Sequence, residues 1–147
     1  MDTLVDSLNR ILTNTLEYRE ALEELADSVN DRTTASKLDE FAEVRGNETE
    51  NLMELISGAG GRIESSGRTT DQESVSWLAP TLPDAKDMAA VLSYLIKAEQ
   101  KAKDDYATVL DNEKLDEKGR QILEKHRQEA SSNLQYFESA KASIKGK

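Results

Sequence analysis

An all-α fold, an antiparallel four-helix bundle with a long connection between its second and third helices, is what this sequence predicts, and three observations predict it. Four long segments repeat their apolar residues at alternating steps of four and three, the seam that left-handed bundle packing requires. No run alternates apolar and polar residues over the length of a useful strand. Glycine and proline fall mainly at the joints between the four segments. At 147 residues the chain reads as one domain, and a domain of this size buries roughly 68–70% of its unfolded surface, enough for a core without staples.

The first helix is expected over residues 3–30, with Thr3 as its N-cap. Its seam is Leu4, Leu8, Ile11, Thr15, Tyr18, Leu22, Leu25 and Val29, widened by Leu12 and Leu16. The second is expected over 34–59, capped by Thr33 or Thr34 and stopped by Gly58, Gly60 and Gly61, because glycine adopts the left-handed conformation cheaply. Its seam reads Leu38, Phe41, Arg45, Glu48, Leu52, Leu55 and Ala59. A connection over residues 60–83 follows. Within it Thr70-Asp71-Gln72-Glu73 has capping-box spacing ahead of Val75, Trp77 and Leu78, and Pro80 follows. This predicts a short helix held over the bundle by Trp77. A connection of that length suits a crossover along the bundle, which would make the second and third helices parallel.

The third helix is expected over 84–111 behind Pro83, capped by Asp84, with the seam Met88, Leu92, Leu95, Glu99, Ala102, Tyr106 and Val109. A short polar turn leads to Asp116, which caps a fourth helix over 116–145. That helix carries Ile122, Leu123, His126, Ala130, Asn133, Leu134, Phe137, Ala140 and Ile144. The short turn makes the last two helices an antiparallel pair.

Composition excludes several chemistries. There is no cysteine, hence no disulfide, thiolate metal site or cysteine nucleophile. Lys+Arg 19 against Asp+Glu 29 gives a net charge of −10, which repels phosphate backbones and anionic membrane faces. The N-terminal residues lack the basic and apolar regions of a signal peptide, and no stretch approaches the about 18 apolar residues of a membrane span. The expected setting is cytoplasmic, with neither nucleic acid nor membrane as partner. Gly58-Ala59-Gly60-Gly61 ends a helix and lacks the strand and following helix of a phosphate loop. A Ser-His-Asp triad would have only His126 to draw on. Glu23-Glu24 and Asp104-Asp105 read as solvated faces, and Tyr18, Tyr94, Tyr106 and Tyr136 as packing residues with wet hydroxyls.

The seams turn polar near their middles. Thr15 and Tyr18 interrupt the first, Arg45 and Glu48 the second, Glu99 the third, and His126, Glu129 and Asn133 the fourth. Helix centres meet at one depth in a bundle, so these residues predict an internal polar layer. Buried charges are costly unless paired or bound to a metal, which leaves two readings. In one, Arg45 pairs with Glu48 or Glu99, with Tyr18 and Asn133 completing the hydrogen bonds, and the layer fixes register. In the other, Glu48, Glu99, Glu129 and His126 hold iron or manganese, as facing carboxylates and imidazoles do in bundle cores. Lone His126 reads more readily as a solvated or hydrogen-bonded histidine than as a ligand.

Arg45 followed by Leu52 and a Gly60-Gly61 helix end, Tyr18-Arg19-Glu20-Ala21, Ala98-Glu99 seven residues before Tyr106, and a tryptophan in the long connection together resemble a bacterial ferritin-like family, domain of unknown function 2383. The resemblance runs over nearly the whole chain and implies a ferritin-like four-helix bundle. Ferritin-like di-iron proteins place a glutamate on each of two helices and Glu-x-x-His on the other two. This chain has one histidine, in the reversed order His126-x-x-Glu129; it carries Glu48-x-x-Asn51 on the second helix and Thr15 where the first helix would supply a glutamate. Only Glu99 matches a ligand position, so ferroxidase activity is not expected and no cofactor is required. Three functions stay open: a non-catalytic structural or stress-associated bundle contacting another protein or forming a homodimer; a degenerate metal site at Glu48, Glu99, Glu129 and His126; and a small apolar ligand held around Ala98, Ala102 and Ala130.

Overall fold

The computed structural model describes residues 3–63, 76–79 and 81–145. They form four helices: α1 (Leu4–Ser28), α2 (Arg32–Gly58), α3 (Met88–Leu110) and α4 (Glu117–Lys145). Among the described residues there is no strand, and no helix is long and apolar enough to cross a membrane. The fold is an all-α four-helix bundle. The short helix expected near residues 70–78 falls largely on residues 70–75, outside those described.

Each helix end has a local chemical cause. Thr3 closes a full capping box on α1, accepting from the Asp6 amide at 3.1 Å while the Asp6 carboxylate accepts from the Thr3 amide at 3.3 Å. Two expected caps lie a little off the residues that serve. Asp31 caps α2 in place of Thr33 or Thr34, its carboxylate accepting from the Thr34 amide at 3.3 Å. Asp87 caps α3 in place of Asp84, accepting from the Ala90 amide at 3.1 Å, while Asp84 closes the preceding turn on Lys86. In both places an aspartate at the turn into the helix satisfies the free amides. Asp116 accepts from the Gly119 amide at 2.7 Å at the start of α4. At the far end of α2, Gly60 turns to φ 77° and a Schellman pair forms: the Gly61 amide donates to the Ile56 carbonyl and the Gly60 amide to that of Ser57. Ile56, in the last turn of α2, is buried, whereas Ala59, which the seam assigned to the core, lies past the helix end and is exposed.

Helix α1 packs along α2, and α3 along α4, far more extensively than either pair packs on the other. The first residues of α2 and α3 line one cavity together with the last residues of α4. The first residues of α1 and α4 line another with the last residues of α2. Helices α2 and α3 therefore start at the same end and run parallel, so the connection between them passes from one end of the bundle to the other. Part of it closes the seam between α1 and α3. Trp77 is 1% exposed, its backbone amide donates to Asn14 of α1 at 3.2 Å, and its indole N–H donates to Asp105 of α3 at 2.6 Å. Asp105, expected on a solvated face, is half-buried and accepts this bond. Leu8, Ile11, Leu22, Leu25, Leu52, Ile56, Leu95 and Leu123 fill the layers above and below the bundle's centre, all at most 1% exposed. Each such side chain contributes about 1.5–3 kcal/mol by burial.

Candidate functional site

The middle of the bundle holds the polar layer, and it is dry. Thr15, Arg45, Glu99 and His126 are fully buried, Glu48 is 1% exposed and Asn133 8%. The seam arithmetic explains why. Each polar residue takes a position that an apolar one takes a turn or two away, so helical periodicity points it inward whatever its own preference.

Arg45 is the hub. One terminal nitrogen donates to Glu48 Oε1 at 2.5 Å, one turn along the same helix, and the other donates to Glu99 Oε1 on α3. The guanidinium carbon lies 5.0 Å from the centre of the Tyr18 ring, a cation–π contact. The Tyr18 hydroxyl donates to Glu99 Oε2 at 2.5 Å, and the Asn133 amide reaches the same oxygen at 3.5 Å. Glu99 is thereby held from α1, α2 and α4 at once. The Tyr106 hydroxyl donates to Glu48 Oε1 at 3.4 Å. Thr15, in place of a first-helix glutamate, turns its hydroxyl back to the Ile11 carbonyl at 2.7 Å.

Two carboxyls share this one guanidinium, and the electrostatics show the imbalance. Burial pushes Glu48 and Glu99 above the ordinary carboxyl range, against the pull of Arg45. Burial also works against the Arg45 charge, yet Glu48 and Glu99 together more than offset it and raise its pKa. The base gains two partners and each acid half of one. Burial lowers the pKa of His126 and keeps its imidazole neutral, although nearby Glu48 acts the other way.

Of the four expected metal ligands, three come together and one does not. Glu48, His126 and Glu129 each offer a ligand atom within 4.8 Å of the other two. Glu99 is taken up by Arg45, Tyr18 and Asn133. The di-metal arrangement does not fit these residues, because a guanidinium occupies the space between the two carboxylates that would flank the ions. His126 is fully buried rather than solvated, and its Nε2 accepts from the Asn51 side-chain amide nitrogen at 3.1 Å.

Tyr18 and Tyr106 depart from the expectation of wet hydroxyls, and Tyr18 takes the place in the ion-pair layer that the other reading gave it. Both are fully buried with their hydroxyls on carboxylates, and burial raises both pKa values well above the ordinary one. Their positions on the α1 and α3 seams, level with the charged layer, were the available signal. Ala98, Ala102 and Ala130 are fully buried. None of them lines the apolar cavity of about 420 Å³ at the end of the bundle, between Leu38, Leu92, Leu95, Phe137 and Ile144. Compared with known proteins, the chain matches no family model and no curated sequence.

Proposed function

We propose that this chain is a ferritin-like bundle in which a buried ion-pair layer stands where di-metal chemistry would sit, and that it works without catalysis, as a structural or stress-associated cytoplasmic protein acting through protein contacts. One observation carries the reading: the Arg45 guanidinium is bound between Glu48 and Glu99 at the centre of the bundle. A fixed cation there takes up Glu99 and one oxygen of Glu48, so the two carboxylates cannot bridge a pair of metal ions. The resemblance to domain of unknown function 2383 supports the ferritin-like frame. The end of the bundle supports the contact role, since Tyr136 and Ile144, 39% and 37% exposed, lie beside the apolar cavity and suit an apolar partner surface, a second copy included.

The test is aerobic oxidation of iron(II) and of manganese(II) by the purified protein, followed by oxygen consumption. The expected result is a rate equal to that of buffer. Multiple turnovers that Glu99→Ala abolishes would overturn the reading.

A further inference from the structure

A second arrangement lies next to the ion-pair layer and is not used by it. Glu48 faces two ways. Its Oε1 accepts from Arg45 and Tyr106, while its Oε2 is buried and meets no N–H or hydroxyl donor, and its contact with the Glu129 carboxyl adds to the upward pull on its pKa. His126 shows the same division: Nε2 meets Asn51 while Nδ1 is buried and unpartnered. Two polar atoms so placed in a fully buried layer are costly, and both belong to residues of the Glu48–His126–Glu129 cluster.

We propose that Glu48, His126 and Glu129 form a mononuclear site for a first-row divalent cation, separate from the Arg45–Glu99 half of the layer. Neutral imidazole with two carboxylates is a donor set suited to manganese, iron or zinc. At metal–ligand bonds of about 2.0–2.2 Å, donor atoms around one ion lie roughly 3–4 Å apart. The observed limit of 4.8 Å therefore needs a contraction of under about 2 Å, within side-chain rotation for Glu129. The acids outnumber the one buried base, an excess that either a proton or a cation can balance. Glu48 and Glu99 are buried against Arg45 alone, and Glu129, half-buried, adds a third acid.

Asn51 is the positioning residue. Its side-chain amide nitrogen donates to Nε2 at 3.1 Å, which leaves the proton of the neutral ring on Nδ1; an ion bound at Nδ1 requires that proton to move to Nε2 and the Asn51 amide to turn its carbonyl toward it, the arrangement that outer partners impose on metal-bound histidines. An entry route exists too. A groove of about 550 Å³ opens along the seam of α2 and α4, lined by Glu40, Val44, Lys125, Gln128, Glu129 and Asn133, so Glu129 spans solvent and site. The opposite seam is closed by Trp77. This inference stands apart from the non-catalytic reading, because a single bound ion requires no turnover.

The chain has one histidine, which makes the test specific. Manganese(II), cobalt(II) and zinc(II) are each added to the full chain, retention is measured after desalting, and the His126 ring resonances are followed by NMR. We expect one ion retained per chain, tightening from manganese to zinc, with zinc shifting and manganese broadening the His126 signal. Glu129→Gln should weaken retention at least tenfold, whereas Glu138→Gln, on the exposed face of the same helix, should leave it unchanged. Because Glu129 is half-buried, its substitution does not threaten folding as His126→Gln would. No retention, or retention with the His126 resonances unmoved, would overturn the proposal by leaving only diffuse binding to an acidic surface. Retention indifferent to Glu129→Gln would overturn it as well.

Discussion

Arg45→Met is the most informative single perturbation of the bundle. Arg45 is fully buried, and both its partners are at most 1% exposed, so bulk solvent does not replace the lost guanidinium. The substitution leaves Glu48 and Glu99 facing each other in a dry core with no cation. Breaking a buried pair from one side costs about 3–5 kcal/mol, and the upper part of that range applies here because two acids lose their partner. In a chain of this size each kcal/mol lowers the melting temperature by about 2–4 °C, which predicts a fall of roughly 8–20 °C. Urea denaturation followed by helical circular dichroism measures the first quantity and a thermal scan the second. A compensated variant separates charge from packing: Arg45→Met with Glu48→Gln and Glu99→Gln should recover at least half of the loss, since neutral amides tolerate the missing cation. A cost of Arg45→Met below about 1 kcal/mol, the level of an exposed pair, would refute the reasoning. So would a triple variant no more stable than the single one.

Three further outcomes follow from the same geometry. Tyr18 and Tyr106 have pKa values raised by burial, so above about pH 10 the unfolded chain gives up tyrosine protons that the native chain keeps. Stability should therefore fall as pH rises from there, and part of the phenolate absorbance should appear only together with loss of helicity; smooth ionisation of all four tyrosines in the folded protein would contradict this. Trp77→Phe keeps the ring contact with Tyr106 but removes the indole donor to the half-buried Asp105, and loss of that bond predicts a cost of about 0.5–1.5 kcal/mol in urea denaturation. Gly60→Ala places a side chain at φ 77°, with an expected cost of about 1–2 kcal/mol by the same measurement; an unchanged midpoint would show that the Schellman turn relaxes freely.

Much of this fold is legible in the sequence because it rests on periodicity. Every residue of the first seam, from Leu4 to Val29, is buried, and the polar interruptions do meet at one depth. The pairing of Arg45 with carboxylates is legible for the same reason, as a buried guanidinium needs acids and the seams offered Glu48 and Glu99 at its level. Periodicity does not distinguish one acid from another once all are inside. Whether Glu99 joins Arg45 or His126 depends on rotamers and on neighbours such as Tyr18 and Asn133, which sequence spacing leaves open. Caps were missed by three positions or fewer, because Asp31, Thr33 and Thr34, or Asp84 and Asp87, are chemically able to serve and only the chain's entry angle chooses. Asp105 looked solvated because its partner, Trp77, comes from the connection, where no helical register assigns contacts.

The division of the bundle into two hairpins has a kinetic meaning. Most contacts join α1 to α2 and α3 to α4, across the loops at residues 29–31 and 111–116, so each hairpin closes a short loop and forms early, as local contacts do. Docking one hairpin on the other is the slow step, and it is then that Arg45 must shed its water to meet Glu99, 54 residues away in sequence. Folding of this chain should therefore be rapid in helix content and delayed in the burial of its central charge. A hairpin pair caught before that step would be collapsed, helical and still wet at its centre.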